Sequence, residues 1–183
     1  MTWNIPNILT IIRIIAIPLI IVVFHLPIKH AGAYSAVIFA LAGFTDWFDG
    51  YLARKLGQTS RFGAFLDPVA DKLMVAVTII LLVEHYGNIW VTVSAMIIIG
   101  RELTISALRE WMAEVGERGK VAVSYMGKVK TTLQMLALFF MLYEQPLLGI
   151  PSAELGLILL LAAAVLTFWS MVNYMRAAFT GAG

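Results

Sequence analysis

Asp46, Asp49, Asp67 and Asp71 are the only aspartates among 183 residues, and they fall in one short stretch of a chain that is 61% hydrophobic. Carboxylates gathered in one place in so apolar a chain are costly to keep, which marks them as functional. Asp46 and Asp49 are three residues apart and share a helix face, and Gly50 and Ala53 continue that face with small side chains that leave a slot. Asp67 and Asp71 are four apart and share a face of a following helix, with Gly63 one turn earlier and Pro68 expected in its first turn. A short connection between antiparallel helices brings the two faces together. Four anions in one small volume repel each other, and two divalent cations neutralise them. Hard oxygen ligands suit Mg²⁺ or Mn²⁺. Paired metals clamp the attacking and leaving oxygens of an in-line displacement at phosphorus, and Arg54 offers a bidentate grip on phosphate. No histidine, serine or cysteine nucleophile is placed on these faces to form a covalent intermediate. The residues therefore point to metal-assisted phosphoryl or phosphatidyl transfer, with direct attack by an acceptor hydroxyl and one carboxylate as general base.

The elements that must position these groups are helices in a bilayer. Only 13% of residues are charged, and the mean hydropathy of +0.88 excludes an ordinary water-soluble domain. Six stretches are long enough to span: Ile8 to Leu26, Ala33 to Ala53, Phe65 to Glu84, Ile89 to Leu108, Ser124 to Tyr143 and Glu154 to Tyr174. Turn residues punctuate the connections, at Pro27, Gly57 to Gly63, Gly87-Asn88, Gly116 to Gly119 and Pro146 to Pro151. The expected architecture is an all-α integral membrane protein of six transmembrane helices, with residues 1–183 forming a single domain. Met1 to Asn7 lacks a basic segment and the next apolar run lacks a cleavage site, so that run is expected to stay. With no cysteine, disulfides and thiolate metal sites are excluded.

Charge placement sets the orientation. One side collects Arg54, Lys55, Arg61, Arg109, Arg118, Lys120, Lys128, Lys130 and Arg176, whereas the other has Lys29 beside Glu84, Glu144 and Glu154. By the positive-inside rule both termini are cytoplasmic, and a polar metal-binding cavity opens to that side. A cation transporter is the rival class, but it would place acids near the bilayer midplane on broken helices rather than beside a basic loop. Net charge is only +2, and no nucleic-acid partner is expected.

The run Asp46-Trp-Phe-Asp49-Gly50-Tyr-Leu-Ala53-Arg54, then Gly63, Asp67 and Asp71, resembles the signature of the CDP-alcohol phosphatidyltransferase family at every fixed position. NIPNILTIIR, RFGAFLDPVADK, RELTISALREWMAE and GKVKTT extend the likeness over almost the whole chain, toward members that use glycerol 3-phosphate as acceptor. The resemblance implies that Asp46 and Asp67 bridge both ions, that Asp49 serves one and Asp71 the other, and that Asp71 is the base. It places Gly50, Ala53, Arg54 and Ser60 on the CDP end of CDP-diacylglycerol, with Asn7 and Thr10 capping it from the first helix. The implied reaction is attack by the hydroxyl of glycerol 3-phosphate on the β-phosphorus of CDP-diacylglycerol, releasing CMP. It also implies a homodimer and the bacterial cytoplasmic (inner) membrane. Inositol phosphate or serine as acceptor is the alternative within the family.

An anionic acceptor needs cations, and Arg101, Arg109, Lys128 and Lys130 are the candidates. Each also has an ordinary reading. Arg101 either meets the acceptor or pairs with Glu102 or snorkels, Lys128 and Lys130 either bind phosphate or anchor a helix start, and Arg109 with Glu110 and Glu114 makes a solvated helix end. Asn7, Thr10 and Arg13 form a polar stripe that either faces the site or satisfies neighbouring helices. His25, His30 and His85 read as interfacial residues on the far side, with Trp3, Trp90 and Trp169 as interface anchors.

Overall fold

The computed structural model describes residues 5–56, 61–116, 125–147 and 149–179, with the side chains of 5–7, 46–56, 61–62, 64, 125–128 and 177–179 outside that description. Six α-helices account for nearly all of it: α1 Ile5–His25, α2 Ala31–Leu56, α3 Arg61–Tyr86, α4 Ile89–Glu114, α5 Tyr125–Tyr143 and α6 Ser152–Phe179. Among the described residues the sole β pairing is a single antiparallel bridge between Leu147 and Ile150. The helices α1, α4 and α6 are long and apolar enough to cross a membrane, and α2 and α5 carry shorter apolar stretches, Ala31–Thr45 and Val129–Tyr143.

Hydropathy placed every helix but cut most of them short. α4 runs on from Leu108 to Glu114 and α3 begins at Arg61 rather than Phe65. Pro68 consequently lies two turns inside α3 instead of in its first turn. Its missing N–H removes the ladder bond to the Ala64 carbonyl, next to Asp67. Asn88 caps α4, accepting from the Trp90 backbone N–H at 2.9 Å.

The helices alternate in direction, so the starts of α1, α3 and α5 share one end with the finishes of α2, α4 and α6. Packing runs α1 on α2 and α3, α2 on α5, α3 on α4, and α6 on α4 and α5. The buried stripes show where the core stops. In α1 the stripe reads Thr10, Arg13, Ile17, Ile20, in α4 it reads Ile98, Arg101, Ile105, Leu108, and in α5 it reads Lys130, Gln134, Leu138, Met141. Each keeps helical period; those of α1 and α5 turn polar toward the same end, whereas in α4 Arg101 is a charged residue within a stripe that stays apolar through Met112. The larger apolar core includes Phe39, Ile79, Leu82, Ile98, Leu138, Met141 and Leu160, and a smaller one joins Ile105, Leu108 and Met112 to Tyr174. α5 and α6 approach closely because Gly156 has no side chain. A Cβ there would stand 2.6 Å from Met141 Cγ and 2.9 Å from its backbone nitrogen.

The opposite end is tied by polar contacts between turns. His85 Nε2 meets Glu144 Oε1 at 2.5 Å, Gln145 meets His30, and Tyr86 donates to the Met141 carbonyl at 2.9 Å. His30 and Glu144 adopt positive φ there, 68° and 58°. A cavity of about 340 Å³ lies among Phe24, His30, His85, Tyr143 and Glu144. These histidines are exposed on the far side, as the sequence suggests.

Candidate active site

Two polar clusters occupy the end where the buried stripes turn polar. The first joins α1 to α3. Thr10 Oγ1 donates to Asp67 Oδ1 at 2.5 Å, and Arg13 Nη1 donates to Asp71 Oδ1 at 2.8 Å. The two pairs keep register because both helices advance one turn between them, from 10 to 13 and from 67 to 71. Thr10 and Arg13 are fully buried, whereas the Asp71 carboxylate is 45% exposed. An arginine with no exposed surface must meet an anion, and Asp71 supplies it. Thr10 and Arg13 of the α1 stripe therefore face carboxylates of α3, and the Asn7 side chain lies outside the description.

Carboxylates oriented by hydrogen bonds from a neighbouring element, open on one side and made of hard oxygen donors, fit a divalent cation. Among the described residues no three histidine, aspartate or glutamate side chains form a metal-holding group. Asp46 and Asp49, the other half of the expected quartet, lie on α2 with side chains outside the description, as do those of Ala53 and Arg54. Asn7 stands in the first turn of α1 and Lys128 in the first turn of α5, again without described side chains, and Ser60 lies outside the described residues.

The second cluster joins α4, α5 and α6. Arg101 Nη1 donates to Glu102 Oε1 at 2.5 Å, and Lys130 Nζ stands 3.5 Å from the same oxygen. Arg101 and Lys130 are 7% and 3% exposed. That burial rules out the anchoring role for Lys130, because an interfacial anchor keeps its ammonium in water. Arg101 does pair with Glu102, but the pair is not the whole of its surroundings. The guanidiniums of Arg101 and Arg109 both lie 5.9 Å from the centre of the Tyr174 ring. These arginines are separated by roughly 12 Å of helix rise, so both side chains bend toward the ring between them. Tyr174 is itself fixed by Ile105, Leu108 and Met112 of α4 and by Met171 and Met175.

Two buried cations, Arg101 and Lys130, and the exposed Arg109 thus stand against one carboxylate. Lys130 Nζ and Arg101 Nε have no hydrogen-bond partner among the described residues. A surplus of buried positive charge with unsatisfied donors calls for an anion. Lys72, the residue after Asp71, donates to Ser106 on α4 and so ties α3 to α4 at the end that carries both clusters. Sequence reasoning passed over Tyr174 and treated Glu102 only as a partner for Arg101. An aromatic in an apolar helix carries no signal of its own, and the ring's role shows only once α6 is laid on α4.

Comparison with known proteins agrees with this chemistry. Residues 3–169 match the model of a protein family described as CDP-alcohol phosphatidyltransferase. A protein of Salmonella choleraesuis named CDP-diacylglycerol--glycerol-3-phosphate 3-phosphatidyltransferase is 55% identical over 178 residues, covering 97% of this chain and 96% of its own. Proteins of the same name from Escherichia coli K12 and Shigella flexneri are each 53% identical over the same shares.

Proposed function

The chain belongs to the CDP-alcohol phosphatidyltransferase family, and from that membership we propose that it transfers the phosphatidyl group of CDP-diacylglycerol to sn-glycerol 3-phosphate. CMP leaves, and phosphatidylglycerophosphate stays in the bilayer. The observation that carries the acceptor assignment is the buried pair Arg101 and Lys130, whose charge with Arg109 exceeds that of Glu102. A phosphate monoester carries about −1.5 to −2 at neutral pH, which matches that surplus, whereas a serine or a neutral alcohol leaves it uncompensated.

Asp46, Asp49, Asp67 and Asp71 are the groups that hold two Mg²⁺ or Mn²⁺ ions. When bound, these ions offset the carboxylate charge and stabilise the negative charge that builds on the phosphate oxygens. Thr10 and Arg13 hold the carboxylates of Asp67 and Asp71 in place through their hydrogen bonds. Asp71 accepts the proton of the glycerol 3-phosphate hydroxyl as that oxygen attacks the β-phosphorus, and the bond from that phosphorus to the CMP oxygen breaks. Gly50 and Ala53 leave room for the CDP moiety, Arg54 and Ser60 bind it, and Asn7 and Thr10 cap it. Arg101, Lys130, Arg109 and Lys128 hold the acceptor phosphate and so set the distance from it to the attacking hydroxyl. The enzyme works as a six-span protein of the bacterial inner membrane, with this surface facing the cytoplasm and a homodimer as its assembly.

Purified protein in detergent, given CDP-diacylglycerol, Mg²⁺ or Mn²⁺ and a panel of alcohols, is expected to release CMP with glycerol 3-phosphate. It is expected not to do so with glycerol or serine. Faster CMP release with inositol phosphate or with an uncharged alcohol would refute the acceptor assignment.

A further inference from the structure

We propose that Glu102 is an internal counter-ion standing where the acceptor phosphate binds, so that glycerol 3-phosphate enters, and the phosphomonoester end of the product leaves, by exchange with this carboxylate. The inference rests on the acceptor pocket proposed above. One oxygen of Glu102, Oε1, both accepts from Arg101 Nη1 and faces Lys130 Nζ at 3.5 Å, and this shared position is the one a bridging phosphate oxygen would take. The cations form the floor, with side chains 8% and 4% exposed, and the carboxylate comes in from the mouth at 31%.

Two features make the carboxylate displaceable. Glu102 follows Arg101 directly on α4, and adjacent helical residues project about 100° apart, so the contact is a reach around the helix and not a facing pair. Glu102 also leaves its partners incompletely satisfied, since Arg101 Nε and Lys130 Nζ have no hydrogen-bond partner among the described residues. A phosphate brings three acceptor oxygens and more charge than a carboxylate, which favours it in the exchange. In the empty enzyme Glu102 offsets part of the charge of Arg101 and Lys130 where they pack between α4 and α5. The cost falls on substrate affinity, because acceptor binding must first undo an existing ion pair.

The sign of one kinetic change decides the matter. Glu102→Gln, which removes the charge at nearly constant shape, is expected to lower the KM for glycerol 3-phosphate about tenfold while leaving the KM for CDP-diacylglycerol unchanged. If Glu102 serves only to position Arg101 and Lys130, the same substitution raises that KM, and the proposal is overturned. Should Glu102→Gln fail to fold, Glu102→Asp decides: its shorter arm keeps a charge at the mouth but cannot reach both cations, so a smaller fall in KM is expected and a rise or no change refutes. Inorganic phosphate gives a readout apart from turnover, since it should raise the thermal unfolding temperature of Glu102→Gln or Glu102→Asp more than that of the native protein. Lys130→Ala isolates the underlying reading. If it leaves the KM for glycerol 3-phosphate unchanged, the pocket itself is misplaced; if it raises that KM while the Glu102 variants do the same, only the counter-ion role fails.

Discussion

Asp71 accepts a hydrogen bond from an arginine that has no contact with water, and that pairing shapes what substitution at either residue should do. Asp71→Asn is expected to reduce CMP release by about 10³-fold or more, through loss of the base, while sparing CDP-diacylglycerol binding more than Asp46→Asn does. Equal loss of lipid-nucleotide binding in both variants would contradict the division of roles. Arg13→Gln keeps a donor but removes the charge opposite Asp71. Turnover should fall roughly 10- to 100-fold, as expected when a group orienting a metal-binding carboxylate is changed, and unaltered turnover would show that Arg13 serves packing alone. Arg101→Ala should raise the KM for glycerol 3-phosphate about 30-fold or more, since truncating one partner of a buried charge pair costs at least 2 kcal/mol. A change confined to the KM for CDP-diacylglycerol would remove Arg101 from the acceptor pocket. The pairing of Asp67 and Asp71 on one face of α3 was legible in the sequence, because acids are rare in an apolar chain and a four-residue spacing is one helical turn. Arg13 was not settled by its stripe, because one helix face does not reveal what lies across from it. Tyr174 and the bridging position of Glu102 depend on which helices touch, and hydropathy does not encode that.

At the scale of the helix, hydropathy marks where a chain leaves hydrocarbon, not where its backbone stops being helical. The extra turns of α2, α3 and α4 lie beyond the stretches that hydropathy marks, and they carry Arg54, Gly63 and Arg109. All six helices were therefore readable, and their polar ends, which hold the chemistry, were the least readable part. Close packing of α5 on α6 gives a test at this scale. Gly156→Ala puts a methyl group 2.6 Å from Met141 Cγ and 3.0 Å from the Ala137 carbonyl oxygen. It should destabilise the bundle by about 1–3 kcal/mol, seen as a lower unfolding temperature in detergent. Gly100→Ala, where a Cβ meets nothing within 4 Å, is the control and should be neutral or stabilising. Equal effects at the two glycines would mean that helix propensity rather than close approach accounts for Gly156.

For the whole molecule, the alternation of helix direction gathers the two polar clusters at one end and the histidine contacts at the other. From charge bias we propose that the first end faces the cytoplasm. Because the native chain has no cysteine, single cysteines can report that assignment directly. In intact cells a membrane-impermeant maleimide should label Lys29→Cys, whereas Arg176→Cys should react only after permeabilisation, and the reverse pattern would invert the proposed topology.

Thr10 of the first helix belongs to one polar cluster and Tyr174 of the sixth to the other, with α3, α4 and α5 between them in the chain. A ribosome-bound chain that has inserted five segments accordingly holds its acidic quartet without the ring that braces its two arginines. Biosynthesis and competence should end together, and an arrested five-segment nascent chain should remain unable to use glycerol 3-phosphate.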